Sequence, residues 1–284
     1  ELWLDKNEIA SLPENVCALT ALKVLSLYHN QLEALPECIG QLTALKILNL
    51  GHNKLTHLPE SIGHLHDLYM FDAGHNAIEK LPQTIGSLKG MAGFLYLSNN
   101  RLTSLPDSIG DLSNLAYLNV SDNQLQMLPD AIGNMHSLKE LRIYNNQLQS
   151  LPNAIAKLVN LRELHVMNNS LTALPDTIGR MIALRELRLN DNKLASLPDE
   201  IGNLESLTHL DCRNNELSFL PDTIGWLHQL MFLDLRRNGL THLPDSIMDL
   251  PKLQKLDLRW NKLLKVPGWI DELRERGCVV YMDL

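Results

Sequence analysis

Asparagine recurs along this chain at a nearly constant interval, and this period limits the possible folds more than any other feature. The recurring residues are Asn7, Asn30, Asn53, Asn76, Asn100, Asn123, Asn146, Asn169, Asn192, Asn215, Asn238 and Asn261. Neighbouring members are 23 residues apart, except for one interval of 24 residues between Asn76 and Asn100. Twelve of the thirteen prolines keep the same phase. A fixed period of this length predicts an array of stacked supersecondary units.

Each unit combines a strand pattern with a pattern typical of a tight helical turn. One unit reads Leu22-x-x-Leu25-x-Leu27-x-x-Asn30-x-Leu32-x-x-Leu35-Pro36-x-x-Ile39-Gly40-x-Leu42. Leu25 and Leu27 alternate with period two, which predicts a short strand that buries both leucines on one face. Pro36 ends the strand pattern, and the three-residue spacing after it favours a 3₁₀ or irregular turn. Gly40 is expected to allow a tight backbone bend there.

This unit resembles the leucine-rich repeat (LRR) family, and the resemblance covers the whole chain. Leu-Pro-x-x-Ile-Gly-x-Leu is similar to the 23-residue intracellular and bacterial type, which is also found in Ras-scaffold, plant intracellular Ras-group and Roco-type proteins. The resemblance implies an α/β fold, a leucine-rich repeat solenoid of about twelve repeats shaped as a curved horseshoe. A parallel β-sheet would form the concave face, and short helical or 3₁₀ turns the convex face.

The array is predicted to be a single solenoid domain over 1–284, with a C-terminal capping repeat at 262–284. In that last unit Asp271–Arg276 is expected to form a longer helix that Gly277 stops, followed by a strand at 279–281. At the other end Glu1–Leu4 already fits the strand pattern. An N-terminal cap is therefore expected upstream of residue 1.

Composition argues against several classes of protein and partner. With 61 leucines and 45% hydrophobic residues, the chain is unlike a disordered protein. Four cysteines are too few for a disulfide scaffold, and no apolar stretch is long enough for a transmembrane helix. A net charge of −8 disfavours nucleic-acid binding. We therefore expect a monomer with no nucleic-acid or membrane partner.

The recurring asparagine lies where the chain leaves each strand. A buried amide side chain there can satisfy backbone groups of neighbouring turns, which predicts a structural ladder rather than a ligand site. The predicted ladder consists of Asn30, Asn53, Asn76, Asn100, Asn123, Asn146, Asn169, Asn192, Asn215, Asn238 and Asn261.

Binding is expected on exposed residues of the concave sheet, six, four and two positions before each asparagine. Aromatic residues and arginine are the types enriched at interface hot spots. The predicted partner-binding patch contains Phe94, Tyr96, Tyr117, Arg142, Tyr144, His165, Met167 and Arg188. The alternative is ordinary variation on a solvated sheet.

A secondary charged patch lies in the C-terminal repeats, where an aspartate row runs beside an arginine row. Its members are Asp211, Arg213, Asp234, Arg236, Asp257 and Arg259. Like charges at strand spacing repel, so the two rows are predicted to compensate each other. The alternative is a docking site for a charged partner.

One extra residue lies within 89–94, close to core positions at which Phe71, Ala73 and Ala92 replace leucine. An insertion in a solenoid is expected to form a loop or bulge. We expect a tolerated slip of the array, with a local kink that shapes a binding site as the alternative.

His29, His52 and His75 form a column at the rim of the sheet. Three imidazoles at strand spacing suggest a transition-metal site, but a flat rim supplies parallel ligands rather than convergent ones. Solvated histidines are therefore expected, with no metal and no other cofactor.

Cys212 and Cys278 are predicted to be buried thiols. Cys17 and Cys38 lie in adjacent repeats but at different phases, so we expect them to remain free, with a bridge as the alternative.

The cysteine-paired caps typical of extracellular relatives are absent. Two glycosylation patterns, Asn119–Ser121 and Asn168–Ser170, lie on or beside the presumed binding face. These features predict a cytoplasmic protein, or one delivered to a host cytosol if it is a bacterial effector.

Sequence motifs of catalysis are missing: there is no phosphate loop, zinc-protease helix or nucleophile elbow. An open sheet also lacks the enclosed pocket that enzymes use. The sequence therefore predicts a non-enzymatic interaction module that binds a protein or peptide partner on the concave face. The alternative is the recognition region of a larger enzyme, namely a bacterial effector ubiquitin ligase, an LRR kinase or a Roco GTPase.

Overall fold

A computed structural model of the chain describes residues 1–263 and 266–283, and it falls into two compact units, 1–146 and 147–284. The predicted capping repeat at 262–284 therefore includes three positions, 264, 265 and 284, that lie outside the described residues.

The first unit repeats one short strand and one 3₁₀ helix. Its strands, β1 to β7, are Leu2–Trp3, Val24–Ser26, Ile47–Asn49, Met70–Asp72, Phe94–Tyr96, Tyr117–Asn119 and Glu140–Arg142. Its 3₁₀ helices are Glu14–Ala18, Glu37–Gln41, Glu60–His64, Gln83–Ser87, Asp107–Asp111 and Asp130–Asn134. Consecutive strands pair in parallel, with Leu25 opposite Leu48 and Leu48 opposite Phe71. Equivalent repeat positions therefore lie side by side along the sheet.

The second unit has the same repeat and ends differently. Strands β8 to β13 are Glu163–His165, Glu186–Arg188, His209–Asp211, Phe232–Asp234, Lys255–Asp257 and Val279–Tyr281. The 3₁₀ helices are Asn153–Lys157, Asp176–Arg180, Asp199–Asn203, Asp222–Trp226 and Asp245–Asp249, and one α-helix, α1, spans Trp269–Glu275. The paired strands of this unit are again parallel. The predicted parallel strands and short 3₁₀ turns are thus confirmed.

The core consists of the recurring apolar positions. Leu25, Leu27 and Leu32 are completely buried, as are Ile39 and Leu42 across the same coil. Strand and turn therefore bury their apolar residues in one shared layer, which each repeat continues from its neighbour. In the part of the chain that the structure describes, no helix has the length and apolar character needed to cross a bilayer.

Gly40 has a different role from the one its position suggested. Among the described glycines, only Gly277 has a positive φ, so a tight bend does not explain Gly40. A Cβ atom at Gly40 would lie 2.3 Å from the carbonyl oxygen of Ser61, in the 3₁₀ helix of the next repeat. Glycine is needed here because the turns of adjacent repeats approach closely.

Helix α1 begins at Trp269, before the predicted start at Asp271. Trp269, Ile270 and Leu273 are buried and form its apolar face, and the Trp269 indole donates a 2.8 Å hydrogen bond to Asp245. The helix covers the core through residues that a continued repeat pattern would place in a turn. Gly277, with a φ of 89°, follows its end.

The extra residue sits in a bulge before β5, and the expectation that Ala92 occupies a core position was wrong. Met91 is fully buried, whereas Ala92 is exposed. Gly93 is buried beneath Tyr69, since a Cβ there would lie 2.6 Å from the tyrosine ring. The chain thus keeps a large side chain in the core and moves the small one to the surface. Phe71 and Ala73 are both buried, as expected.

Candidate functional site

The asparagine of each repeat holds the coils in register through hydrogen bonds to backbone groups. Asn146 shows the pattern: its Nδ2 donates to the carbonyl oxygens of Val120, Ile143 and Tyr144, each at 3.1 Å. Its Oδ1 accepts the Leu125 amide at 2.9 Å. Val120 and Leu125 belong to the preceding repeat, so one side chain satisfies groups in two coils. This fixed register places side chains of consecutive strands next to one another on the exposed face of the sheet.

In the first unit, three aromatic residues of that face contact one another, and we call them the aromatic cluster: Phe94, Tyr96 and Tyr117. The ring centroids are 6.0 Å apart for Phe94 and Tyr96, 5.6 Å for Phe94 and Tyr117, and 5.0 Å for Tyr96 and Tyr117. Phe94 is 39% exposed, which leaves an apolar surface open to a partner. Tyr117, which the sequence placed among exposed residues, is only 8% exposed because the other rings and Arg142 cover it.

Arg142 completes the cluster at one side. Its guanidinium carbon lies 5.6 Å from the centroid of the Tyr117 ring, and its Nε bonds Glu140 at 2.5 Å. The structure thus brings together four of the eight predicted patch residues: the three aromatics and Arg142. Tyr144 lies half-buried on the next register position, and none of the described ring contacts links it to the cluster.

Burial sets the protonation state of the tyrosines. It raises the pKa of Tyr117 to about 12, with smaller contributions from nearby charges. It also raises the pKa of Tyr96, and the negative charge of Asp72 adds to that rise. Both phenols therefore remain protonated, neutral hydrogen-bond donors at ordinary pH.

The other three predicted patch residues belong to the second unit. His165 is buried, contrary to expectation, and its Nε2 lies 3.1 Å from Glu163 on the same strand. Arg188 pairs with Glu186, again two positions away on one strand. Met167 is half-buried. The side chains of His165 and Arg188 thus already contact acidic residues of their own strands, and a partner would have to compete with these contacts.

The charged patch of the second unit is a set of ion pairs along and across the strands. Arg236 bonds Asp234 at 2.6 Å and reaches Asp257 at 3.3 Å, and Arg259 bonds Asp257 at 2.7 Å. Asp257 is completely buried beneath these arginines, so the prediction of an exposed residue was wrong. Asp211 and Arg213 pair more loosely, at 3.7 Å. This arrangement fits the interpretation that the two rows compensate each other's charge.

A shallow cavity of about 180 Å³ on the sheet of the second unit was missed by the sequence analysis. At its centre, the rings of His209 and Phe232 stack with centroids 4.5 Å apart. Both residues lie six positions before a recurring asparagine, as Phe94 and Tyr117 do in the first unit. The same register therefore contained the signal for this second aromatic surface.

The histidine column does not present a convergent set of metal ligands. The rings of His52 and His75 stack at 3.9 Å with their planes 10° apart, and His29 is 5.9 Å from His52. Parallel rings direct their nitrogens side by side rather than towards one point. Partial burial and the two neighbouring imidazoles lower the pKa of His52. These contacts describe a stacked column at the rim.

The expectation that Cys17 and Cys38 remain free was wrong, because the two residues form a disulfide with their Cα atoms 5.8 Å apart. Equal phase is not needed, since the 3₁₀ helices of adjacent repeats lie close enough for the side chains to meet. Cys212 and Cys278 are free and buried, as predicted. The cytoplasmic localisation stays a prediction.

Family models match most of the chain. A model described as a leucine-rich repeat region matches residues 37–115, 93–176 and 175–275, and one described as Leucine Rich Repeat matches residues 21–42. No curated protein matches this sequence significantly.

Several solved structures are similar to this one. An LRR protein of Leptospira interrogans is 33% identical with a TM-score of 0.76, and the match covers 98% of this chain and 76% of that one. A TDR receptor is 30% identical with a TM-score of 0.80, covering 92% of this chain and 47% of that one. The plant peptide hormone receptor RGFR1, solved in complex with RGF2, is 27% identical with a TM-score of 0.60, covering 96% and 54%. This chain thus spans about half the length of each receptor chain.

Proposed function

Because this chain belongs to the leucine-rich repeat family, whose fold commonly serves as a protein–protein interaction module, we propose that it binds a protein or peptide partner on the exposed face of its sheet. The aromatic cluster of Phe94, Tyr96 and Tyr117, with Arg142 at its side, forms the centre of the proposed binding surface. Its role is non-enzymatic, as is typical of the family.

The mutual contact of the three rings is the observation that carries this proposal. Aromatic residues make up only 5% of the chain, yet three of them meet on neighbouring strands with a guanidinium over one ring. Rings that hold one another in place lose little conformational entropy on binding, and they offer both apolar area and phenol donors. The RGFR1 structure contains a bound partner, RGF2, which supports a peptide or protein as the class of ligand.

The proposal is tested by a variant that removes the surface without touching the core. Tyr96→Ala combined with Arg142→Ala should lower partner recovery at least about tenfold in quantitative affinity purification, since hot-spot truncations cost about 2 kcal/mol or more. Thermal unfolding of the double variant should stay close to that of the wild type, because both side chains are partly exposed.

Met127→Ala is the matched control. Met127 is an apolar residue, 67% exposed, that lies outside the strands. Its removal should leave partner recovery unchanged. Equal recovery of the same partners by the double variant and the wild type would place the binding surface elsewhere.

A further inference from the structure

Asp72 lies at the end of β4, on the exposed face of the first unit. It is half-buried between Asn49 of β3 and Tyr96 of β5, its register neighbours. Its Oδ1 accepts a 2.8 Å hydrogen bond from the Gly74 amide. Among the ion pairs of the described residues, none includes Asp72. The carboxylate is therefore partly removed from water without an ion-pair partner among the described residues.

The second unit shows how this chain treats an aspartate at the same repeat position when no ligand is involved. Asp211, Asp234 and Asp257 each lie four residues before a recurring asparagine, as Asp72 does, and each is followed two residues later by an arginine that pairs with it. In the first unit Gly74 stands where that arginine would be. Asp72 therefore lacks the arginine that pairs with its counterpart in three other repeats.

Two glycines leave the space beside the carboxylate free of side-chain atoms. A Cβ atom built at Gly51 would lie 3.2 Å from both carboxylate oxygens of Asp72, and one at Gly74 would lie 3.3 Å from Oδ1. Any larger side chain at either position would begin beside the carboxylate and cover it. Asp72, Gly51, Gly74 and Tyr96 thus form a small recess, which we call the Asp72 notch.

The surroundings of the notch suit a cation with an apolar stem. Tyr96 provides a ring of the aromatic cluster at one side, and the negative charge of Asp72 contributes to the raised pKa of its phenol. His52 and His75 lie close enough on the rim to interact electrostatically with Asp72. Burial raises the pKa of Asp72, because desolvation disfavours the ionised carboxylate in the free protein. An incoming cation would offset this cost.

We propose that the Asp72 notch binds an arginine or lysine side chain of the protein or peptide partner, with the cationic group at the carboxylate and the aliphatic stem along Tyr96. The recess is partly exposed and anionic, and it has an aromatic ring at one side, so it is complementary to such a side chain. This inference rests on the proposed function, because it assigns the partner residue that the same surface selects.

The test is a selection of random dodecapeptides displayed on phage against the intact chain. Selected peptides should be enriched in arginine or lysine at one position. Replacing that residue in the synthetic peptide by uncharged citrulline or norleucine should weaken binding to the wild-type protein about tenfold, the order expected for a partly exposed charge-assisted hydrogen bond.

Three variants make the assignment specific. Asp72→Asn keeps the acceptor for the Gly74 amide and removes the charge, so it should bind the basic and neutral peptides equally. Gly74→Arg would supply the internal partner found in the second unit and should have the same effect. Asp234→Asn, which removes a carboxylate already paired with Arg236, should bind like the wild type.

The outcomes separate this inference from the proposed function. If the basic residue contributes equally to binding of the wild type and Asp72→Asn, or if no basic residue is enriched, the Asp72 notch is not its site. Loss of all selected peptides in Tyr96→Ala would then still support the aromatic cluster. Conversely, peptides that depend on Asp72 but bind normally to Phe94→Ala, a variant of a cluster ring outside the notch, would overturn the aromatic cluster and retain the notch.

Discussion

At the scale of single residues, the asparagine ladder makes a large contribution to stability through few atoms. Asn146 makes three donor contacts and accepts one amide, all to backbone groups. Asn146→Ala leaves these groups without their partner, and we expect a loss of about 1–3 kcal/mol in the free energy of unfolding. Denaturant unfolding measures this change. Gln147→Ala, at the neighbouring exposed position, should leave stability within about 0.5 kcal/mol of the wild type. Equal effects of the two variants would contradict the ladder.

The ionised carboxylate of Asp72 is expected to destabilise the folded state of the free protein. Because burial raises its pKa, the folded state binds the proton more tightly than the unfolded state does. Stability of the wild type therefore falls as pH rises from about 4 through the folded pKa, and the cost remains at higher pH. Asp72→Asn should raise the melting temperature at pH 7, and this difference should disappear below about pH 4. A variant less stable than the wild type at pH 7 would show that the carboxylate is compensated.

Residue identity alone did not predict exposure on the sheet. Positions four residues before the asparagine alternate with buried leucines and were expected to face solvent. Ser26 and Asp257 are nevertheless completely buried. Exposure depends on long side chains of the same and the neighbouring repeat, such as Arg259 and Arg236 over Asp257. Which long side chain covers which short one is decided by rotamers and pairing across strands, and the repeat pattern contains neither.

At the scale of secondary-structure elements, the pattern predicted the strands and 3₁₀ turns well. Alternating apolar residues and the repeat proline mark these elements along the array, since period two and a missing amide have direct structural consequences. The start of α1 was missed because Trp269 and Ile270 follow Pro267 just as turn residues do in earlier repeats.

The bulge before β5 gives a test of register within one element. Met91 fills the core position that the spacing assigned to Ala92. Met91→Ala should cost about 2–5 kcal/mol in unfolding free energy because it leaves a cavity, whereas Ala92→Ser should change it by less than about 0.5 kcal/mol. Chemical denaturation distinguishes them. A larger effect at Ala92 would show that the core register runs through Ala92 instead.

At the scale of the whole molecule, the disulfide connects two adjacent 3₁₀ helices within the first unit. Each element contacts mainly its counterparts in adjacent repeats, so a local constraint should act locally. Reducing the Cys17–Cys38 bridge should remove about 2–4 kcal/mol of stabilisation. Hydrogen exchange should speed up around residues 14–41 and stay unchanged at 199–249. A uniform change across the chain would indicate that the array unfolds as one cooperative body.

The candidate site was only partly predictable from the whole array. The aromatic cluster was found because Phe94, Tyr96 and Tyr117 fall on the register expected for exposed residues. The Asp72 notch was not, because its signal is a missing arginine at Gly74 and becomes visible only beside the ion pairs of the second unit. The disulfide was likewise hidden, since the distance between two turns is not contained in their phases.

The asparagine ladder also says how such a chain can change its length over generations. Among the described residues, the Asn123 side chain bonds backbone groups of its own coil and the preceding one, namely those of Leu97, Leu102, Val120 and Ser121. Duplication of a whole 23-residue segment therefore keeps the hydrogen-bond partners of all these polar groups, whereas duplication of part of a segment does not. The array can therefore gain or lose whole coils without leaving these polar groups unpaired. The single extra residue before β5 is a smaller change that is confined to one coil.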